Sequence, residues 1–171
     1  KRYALHALTL AQIKSIQLPG VLKVGVFVNE PMDEVIATAT AAGLDMVQLH
    51  GDETPNYCKE MANHYPVIKA FRISKRDDVV YKISEYLEDI DYLLFDTASS
   101  VYGGSGISFD WIKLANATRQ KPYFLSGGIG PDDISKITSF VQSKAAGNCI
   151  AVDVNSKFET TPGQKNIPLL Q

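Results

Sequence analysis

The sequence predicts an α/β fold of the (β/α)8 (TIM) barrel kind, with about six of the eight strands of such a barrel present. In the chain of 171 residues, six short apolar segments alternate strictly with amphipathic segments. Each apolar segment is nearly continuous in hydrophobicity, which is typical of parallel strands covered on both faces. Successive strand ends lie at regular intervals of 21 to 30 residues. This regularity favours a barrel over an open, doubly wound sheet.

The predicted strands are rich in β-branched and aromatic residues. They cover residues 23–28, 45–50, 67–72, 91–96, 122–126 and 149–154. Helix start and stop signals lie between them: Pro31 precedes a helix over 32–42, and Gly43 ends it. Further helices are expected over 8–18 and 54–64, from Asp77 and Ser108 onward, and from Pro131 to Lys144. The last helix is predicted to be short, since Pro162 and Pro168 interrupt it.

The strand count is lower than a closed barrel requires. Because the chain begins with a helix, the strand that precedes this helix in a barrel would come earlier. We therefore expect residues 1–171 to be one incomplete barrel domain, from the second helix onward, lacking an N-terminal strand-helix-strand. An arc of six strands would leave two strand edges exposed.

Composition excludes several classes of protein. Lys and Arg number 17 against 19 Asp and Glu, so there is no excess of positive charge for binding nucleic acid. No apolar run approaches the roughly 18 residues of a membrane span, and no signal peptide is recognisable. Cys58 and Cys149 are too few for a disulfide framework and lack metal-ligand spacing. The sequence therefore predicts a cytoplasmic protein without a metal site.

Polar residues stand at the carboxyl ends of the predicted strands, and in a parallel α/β fold those ends share one face. These residues are Asn29, Gln48, His50, Arg72, Asp96, Ser126, Asp153 and Asn155. Short polar residues also simply begin loops, which suffices to explain Asn29 and Ser126. A carboxylate that directly follows the apolar run Leu93-Leu94-Phe95 is explained less well in this way, so Asp96 is a candidate functional group.

Two glycine-rich or polar turns follow the last two strands. Residues 126–130 (SGGIG) precede a helix that starts at Pro131, and residues 153–157 (DVNSK) follow the next strand. Glycines allow close approach of the backbone to a ligand, and free N–H groups at a helix start favour an anion. Two ordinary tight turns are the alternative, but their succession on neighbouring strands predicts a phosphorylated ligand. The loop 103–106 (GGSG) is compatible with a lid or with a solvated turn.

Five motifs in order give the chain a resemblance to a known family. They are residues 25–29 (GVFVN), 47–53 (VQLHGDE), 94–97 (LFDT) followed by 103–106, 125–129 (LSGGI) and 153–156 (DVNS). In this order they resemble N-(5'-phosphoribosyl)anthranilate isomerase over nearly the whole chain. The resemblance implies a (β/α)8 barrel that performs a cofactor-independent Amadori rearrangement in tryptophan biosynthesis. It also implies a small phosphorylated substrate and a monomer or homodimer.

The resemblance also implies a role for individual residues. Asp96 would be the general acid that protonates the ring oxygen of the ribose as the ring opens. Arg2 would hold the carboxylate of the anthranilate group, which suits a bidentate guanidinium. The remaining implied contacts are Gln48 and His50 lining the pocket, Asp153 near the sugar hydroxyls, and Gly127, Gly128, Asn155 and Ser156 around the phosphate.

The sequence departs from the family pattern in two places. The family's general base is a cysteine in an Ile-Cys-Gly motif, which is absent, and Cys58 (mid-helix) and Cys149 (at the start of its strand) are unsuited to replace it. Residues 1–171 alone are therefore expected to be inactive. Lys157 stands where the pattern usually has glycine, in the phosphate loop. Two alternatives stay open: another phosphosugar isomerase or epimerase on the same barrel, or a non-catalytic phosphate-binding module.

Overall fold

The computed structural model describes residues 8–74, 76–97, 111–116 and 121–171. Six parallel strands form one sheet, and their order in the sheet is their order in the chain. The strands are β1 (Val24–Phe27), β2 (Met46–Leu49), β3 (Val67–Ile73), β4 (Tyr92–Thr97), β5 (Tyr123–Ser126) and β6 (Cys149–Val152). Each lies within two residues of a predicted strand, so the parallel α/β architecture is confirmed.

Helices lie before, between and after the strands. They are α1 (Leu10–Ser15), α2 (Met32–Ala42), α3 (Pro55–Ala62), α4 (Val79–Ser84), α5 (Ile134–Val141) and α6 (Ile167–Leu170). The bounds of α2 agree with the prediction, because Gly43 adopts a φ of 61° and ends the helix. The helix predicted from Pro131 is interrupted: a 3-10 turn at Pro131–Asp133 precedes α5, and a second at Lys144–Asn148 follows it.

Two other helix predictions differ from the structure. The first helix is shorter than expected at both ends: α1 begins only after Thr9, whose side chain caps it, and it ends before Ile16, whose backbone is extended. Ser108 lies outside the described residues, and the described part of that segment, Trp111–Asn116, is a 3-10 helix. The Trp111 ring is buried and packs edge-on against Phe140, with 5.6 Å between ring centroids. It is therefore a packing residue.

The register of the strands gives the sheet an inner and an outer face. Met46, Ile68, Ala70 and Leu94 pack together on the inner face, next to Tyr92 and Phe124. Side chains of the opposite parity face the helices and form the larger core; among them Phe95 and Tyr123 meet edge-on, with 5.3 Å between ring centroids. Strands β2 and β3 are buried at almost every residue. Near-continuous hydrophobicity therefore corresponds to burial on both faces in the centre of the sheet.

The two outermost strands are less covered. Val26 of β1 is 59% exposed and Ile150 of β6 is 53% exposed. Among the described residues, β1 and β6 pair only with β2 and β5, respectively, so the sheet is an open arc and not a closed barrel. This arrangement is that of a partial barrel. No helix in the described ranges is long and apolar enough to cross a membrane.

A short antiparallel hairpin near the end of the chain was not predicted. Strands β7 (Glu159–Thr161) and β8 (Gln164–Lys165) pair around Pro162 and Gly163. Gly163 has a φ of 84°, a value that glycine tolerates after proline in a tight turn. Pro162 therefore belongs to this turn, whereas α6 is short and includes Pro168, as the sequence predicted.

Candidate active site

The inner face of the sheet ends in polar side chains at the carboxyl ends of its strands. Arg72 of β3 is the register partner of Asp96 on β4, and Asp96 is the register partner of Ser126 on β5. Ser126 leads directly into Gly127 and Gly128. The predicted general acid and the predicted phosphate turn therefore lie on neighbouring strands, at the same edge of the sheet.

Gln48, His50 and Asp96 form a hydrogen-bonded row across this edge. The amide nitrogen of Gln48 lies 2.9 Å from Nδ1 of His50, and Nε2 of His50 lies 3.3 Å from Oδ2 of Asp96. Because an amide nitrogen donates, Nδ1 accepts, and the proton of a neutral His50 ring is carried by Nε2. The His50 ring therefore donates toward Asp96. The side chains of His50 and Asp96 are 21% and 27% exposed, so both can contact a ligand.

A buried ion pair supports the loop that carries His50. Nζ of Lys69 lies 2.9 Å from Oε2 of Glu53, and both side chains are almost fully buried. Lys69 also donates to the carbonyl oxygens of Leu49 and Gly51, at 3.4 and 2.8 Å. Glu53 accepts hydrogen bonds from the backbone N–H groups of Asn29 and Gly51. The pair thus ties the loop after β2 to the end of β1 and to the middle of β3.

The ion pair also sets the charge state of Glu53. Burial acts to raise the pKa of its carboxyl group, but the Asn29 N–H bond and the hydrogen bond and charge of Lys69 outweigh it. The pKa of Glu53 therefore lies below its ordinary value, and the carboxylate is ionised at neutral pH. The sequence analysis missed this pair. The lysine within the apolar run Val67-Ile68-Lys69-Ala70-Phe71 was the available signal, because a buried charge requires a partner.

The predicted phosphate turn has the backbone that its glycines suggest. Gly127 and Gly128 have φ angles of 107° and 67°, in the region that favours glycine. A side chain on Gly130 would come within 3.3 Å of Cβ of Lys157, so this turn lies against the loop after β6. Ser126 donates a hydrogen bond of 2.8 Å from Oγ to Oδ2 of Asp153, which joins the ends of β5 and β6.

The remaining residues of the predicted site have different surroundings. Asn155 and Ser156 are exposed just after β6, and Oδ1 of Asn155 accepts a hydrogen bond from Lys165 of the hairpin. Arg2 and the loop 103–106 lie outside the described residues.

Neither cysteine is placed to act as a base at this edge. Cys58 is buried within α3, and burial raises the pKa of its thiol to about 12. Cys149 is the first residue of β6, at the opposite end of the strands from Asp96, and burial also raises the pKa of its thiol. A thiol with a raised pKa is a poor source of the reactive thiolate. The structure thus agrees with the interpretation that neither cysteine replaces the missing one.

Comparison with known proteins gives consistent matches. A family model described as N-(5'phosphoribosyl)anthranilate (PRA) isomerase matches residues 4–171. The N-(5'-phosphoribosyl)anthranilate isomerase of Parabacteroides distasonis is 42% identical over 150 residues, which are 87% of this chain and 66% of that protein. The enzyme of the same name from Thermotoga neapolitana is 40% identical over 154 residues, which are 90% of this chain and 71% of that protein. The chain therefore spans about two thirds of the length of these relatives.

Solved structures agree with the sequence matches. Phosphoribosyl anthranilate isomerase from Thermotoga maritima superimposes with a TM-score of 0.78 and 32% identity, over 95% of this chain and 77% of that one. A phosphoribosyl anthranilate isomerase in complex with reduced 1-(o-carboxyphenylamino)-1-deoxyribulose 5-phosphate gives a TM-score of 0.76 and 29% identity, over 95% of this chain and 76% of that one. Both comparisons support the incomplete barrel.

Proposed function

We propose that this chain, which belongs to the N-(5'-phosphoribosyl)anthranilate isomerase family, forms the greater part of an enzyme that converts N-(5'-phosphoribosyl)anthranilate to 1-(2-carboxyphenylamino)-1-deoxyribulose 5-phosphate. This is the Amadori rearrangement of tryptophan biosynthesis, and it requires no cofactor. One observation carries the proposal. The Asp96 carboxyl group lies at the carboxyl edge of the sheet, hydrogen-bonded to His50 and next in register to the strand that ends in the Gly127–Gly128 turn.

In the proposed reaction, Asp96 acts first as the general acid. Its protonated carboxyl group donates a proton to the ring oxygen while the bond from that oxygen to C1' breaks. The lone pair of the substrate nitrogen forms a C=N double bond at C1'. A base then removes the proton at C2', and the resulting enolamine rearranges to the ketone. The His50 ring, held by Gln48, orients the Asp96 carboxyl group through its Nε2–H.

The substrate is proposed to lie across the edge of the sheet with its phosphate over β5 and β6. Backbone N–H groups of Gly127 and Gly128, with Asn155 and Ser156, would bind the phosphate oxygens. Asp153, already an acceptor from Ser126, would accept a hydrogen bond from a sugar hydroxyl group. Arg2 is assigned the anthranilate carboxylate on the family pattern alone, since it lies outside the described residues.

The alternatives are not favoured. The matched relatives and the matched solved structures carry the name of one isomerase, and the polar edge provides an acid in addition to an anion turn.

The complete enzyme is proposed to be a monomer or homodimer. Both cysteines are free thiols, which suits the reducing cytoplasm in which we place the reaction.

Substitution of Asp96 tests the proposal in the complete protein. Asp96→Asn removes the donated proton and keeps the shape of the side chain, so kcat should fall about 100- to 10,000-fold, the usual contribution of a general acid. The loss of substrate fluorescence on isomerisation measures the rate. Asp33→Asn, an exposed carboxylate of α2, is the matched control and should retain full activity. Near-normal turnover by Asp96→Asn would exclude Asp96 as the acid.

A further inference from the structure

The hairpin formed by β7 and β8 contacts the candidate site through the side chain of Lys165. Nζ of Lys165 donates a hydrogen bond to Oδ1 of Asn155 and another, of 2.7 Å, to Oε1 of Glu159. Glu159 and Lys165 are register partners in the hairpin, which places opposite charges side by side. Their side chains are 15% and 35% exposed, respectively, so the pair is partly shielded from water. The proposed reaction has given neither residue a role.

Backbone contacts hold the loop after β6 on two sides. The N–H of Phe158 donates to the carbonyl oxygen of Asn155 at 3.0 Å, and the N–H of Asn166, directly after β8, donates to the carbonyl oxygen of Phe158 at 2.8 Å. On the other side, the stem of Lys157 lies against Gly130 in the turn after β5. The backbone of the loop is therefore held between the hairpin and that turn.

Lys165 determines which end of the Asn155 amide faces the hairpin. An ammonium group only donates hydrogen bonds, so its partner in the amide has to be the oxygen atom. The two N–H donors on Nδ2 then point away from Lys165, and the described part of the chain offers them no hydrogen-bonded acceptor. A reversed amide would present its oxygen in their place, and an oxygen repels an anion. The contact with Lys165 therefore leaves the amide donors available for an anion.

We propose that Lys165 is a positioning residue for the phosphate end of the substrate. Held by Glu159, it keeps the Asn155 amide in the orientation in which the N–H groups of Nδ2 donate to a phosphate oxygen. The inference rests on the proposed function, because that function supplies the phosphate. It assigns a role to the hairpin, which lies outside the five sequence motifs that carry the resemblance to the family.

The effect of Glu159 distinguishes positioning from simple attraction of the phosphate by the charge of Lys165. If Lys165 acts through orientation, Glu159→Gln loosens its hold on the amide and weakens phosphate binding. If Lys165 acts through charge alone, the same substitution removes a negative charge near the phosphate and strengthens binding. The two mechanisms therefore predict changes of opposite sign.

The test measures Kd for the reduced form of the product by calorimetry, with the complete protein. Asn155→Ala removes the amide donors, and Kd should rise about 10- to 100-fold, as for a hydrogen bond to a charged group. Lys165→Met should raise Kd about 3- to 10-fold, because the amide then adopts the productive orientation only part of the time. Glu159→Gln should raise it by about two- to fivefold for the same reason. The double variant Asn155→Ala/Lys165→Met should equal Asn155→Ala alone, because Lys165 acts through Asn155.

Two control variants and a kinetic measurement accompany these. Lys165→Arg keeps a charged donor for both acceptors, so Kd should stay within about twofold of the unaltered value. Lys144→Met removes an exposed positive charge just before β6, at the opposite end of that strand from Asn155, and should leave Kd unchanged. In Lys165→Met, KM should rise as Kd does while kcat changes little, because the phosphate is remote from the reacting C1' and C2' atoms.

Three outcomes would overturn the inference. A lower Kd in Glu159→Gln would show that Lys165 acts through its charge. Additive losses in the double variant would show that Lys165 acts independently of Asn155. A lowered Tm with an unchanged Kd in Lys165→Met would limit the hairpin to a structural role; if this variant does not fold, the sign of the change in Glu159→Gln decides. Failure of the proposed function is distinct, because the unaltered protein would then neither isomerise the substrate nor bind the reduced product.

Discussion

At the scale of single residues, the polar edge depends on side chains whose partners fix their orientation and charge. Gln48 determines which nitrogen of His50 carries the proton, and that nitrogen faces Asp96. The Glu53 side chain is almost fully buried, and it accepts a hydrogen bond from the backbone of the loop that carries His50. Glu53 therefore affects the site by holding the His50 loop in place, and its substitution should first lower the free energy of unfolding.

The Glu53–Lys69 pair gives a pH-dependent prediction. The pKa of Glu53 is lowered in the folded state, so the pair stabilises the protein above the ordinary pKa of 4.5 and this stability is lost as pH falls through the folded pKa. Glu53→Gln leaves the Lys69 charge buried and should lower the free energy of unfolding at pH 7 by about 3 to 5 kcal/mol. Urea unfolding at a series of pH values measures the difference.

The difference between Glu53→Gln and the unaltered protein should shrink as the pH falls below 4.5, because Glu53 then takes up a proton in the unfolded chain. The difference is smallest below the lowered pKa of the folded state, where the native carboxyl group is protonated as well. A difference that stays constant with pH would contradict the role given to the pair. Glu88→Gln, at an exposed position, is the control and should change stability little. If Glu53→Gln does not fold, the double variant with Lys69→Met removes both buried charges and should recover stability.

At the scale of elements, the loops after β1 and β2 are fixed to each other at close range. Asn29 has a φ of 54°, and its side-chain oxygen accepts a hydrogen bond of 2.7 Å from the N–H of Asp52. Asparagine tolerates this left-handed conformation better than most residues. Gly51 lies directly against Asn29, so the loop that carries His50 has little room to move toward β1.

A methyl group at Gly51 should disturb this contact. A Cβ there would lie 2.8 Å from the backbone nitrogen of Asn29 and 2.3 Å from its side-chain oxygen, so the backbone has to shift. Gly51→Ala should cost about 1 to 3 kcal/mol of stability, as overpacking usually does, and should also lower kcat/KM through displacement of His50. Thermal unfolding and the isomerase assay measure the two effects.

Gly147→Ala is the matched control for Gly51→Ala. Gly147 lies in a 3-10 turn with no atom within 4 Å of the added Cβ and without a positive φ. The substitution should leave Tm unchanged or raise it slightly, because alanine reduces the freedom of the unfolded chain. Equal behaviour of the two variants would mean that the contact between Gly51 and Asn29 does not restrain the loop.

At the scale of the whole molecule, the proposed chemistry is distributed over an arc of strands. The acid lies on β4, the phosphate turn follows β5, and Asp153 follows β6, whereas β1 and β6 leave apolar side chains such as Val26 and Ile150 exposed. The described residues supply an acid but no cysteine suited to act as the base. The described residues therefore provide the group that donates a proton to the ring oxygen, but not the cysteine that would remove the proton at C2'.

Residues 1–171 by themselves should consequently not isomerise the substrate. Protonation of the ring oxygen by Asp96 leaves the proton at C2' in place, and no ketone forms without a base to remove it. The fluorescence assay, with the complete protein as the positive control, measures the difference. Turnover by the 171-residue chain at the rate of the complete protein would contradict both the assignment of a cysteine base and the inactivity of this span.

The sequence by itself determined the strands, most of the helices and the family, because buried parallel strands and helix caps are encoded by local hydrophobicity and by single residues such as Gly43. It also indicated the polar strand ends, since alternation of strand and helix implies a shared edge. Only the tertiary structure decided which charges are paired: Lys69 meets Glu53, whereas Arg72, three residues later, meets no carboxylate among the described residues. Pairing depends on strand register and on the path of loops, which bring together residues distant in the chain. The local pattern of hydrophobic residues does not predict these contacts.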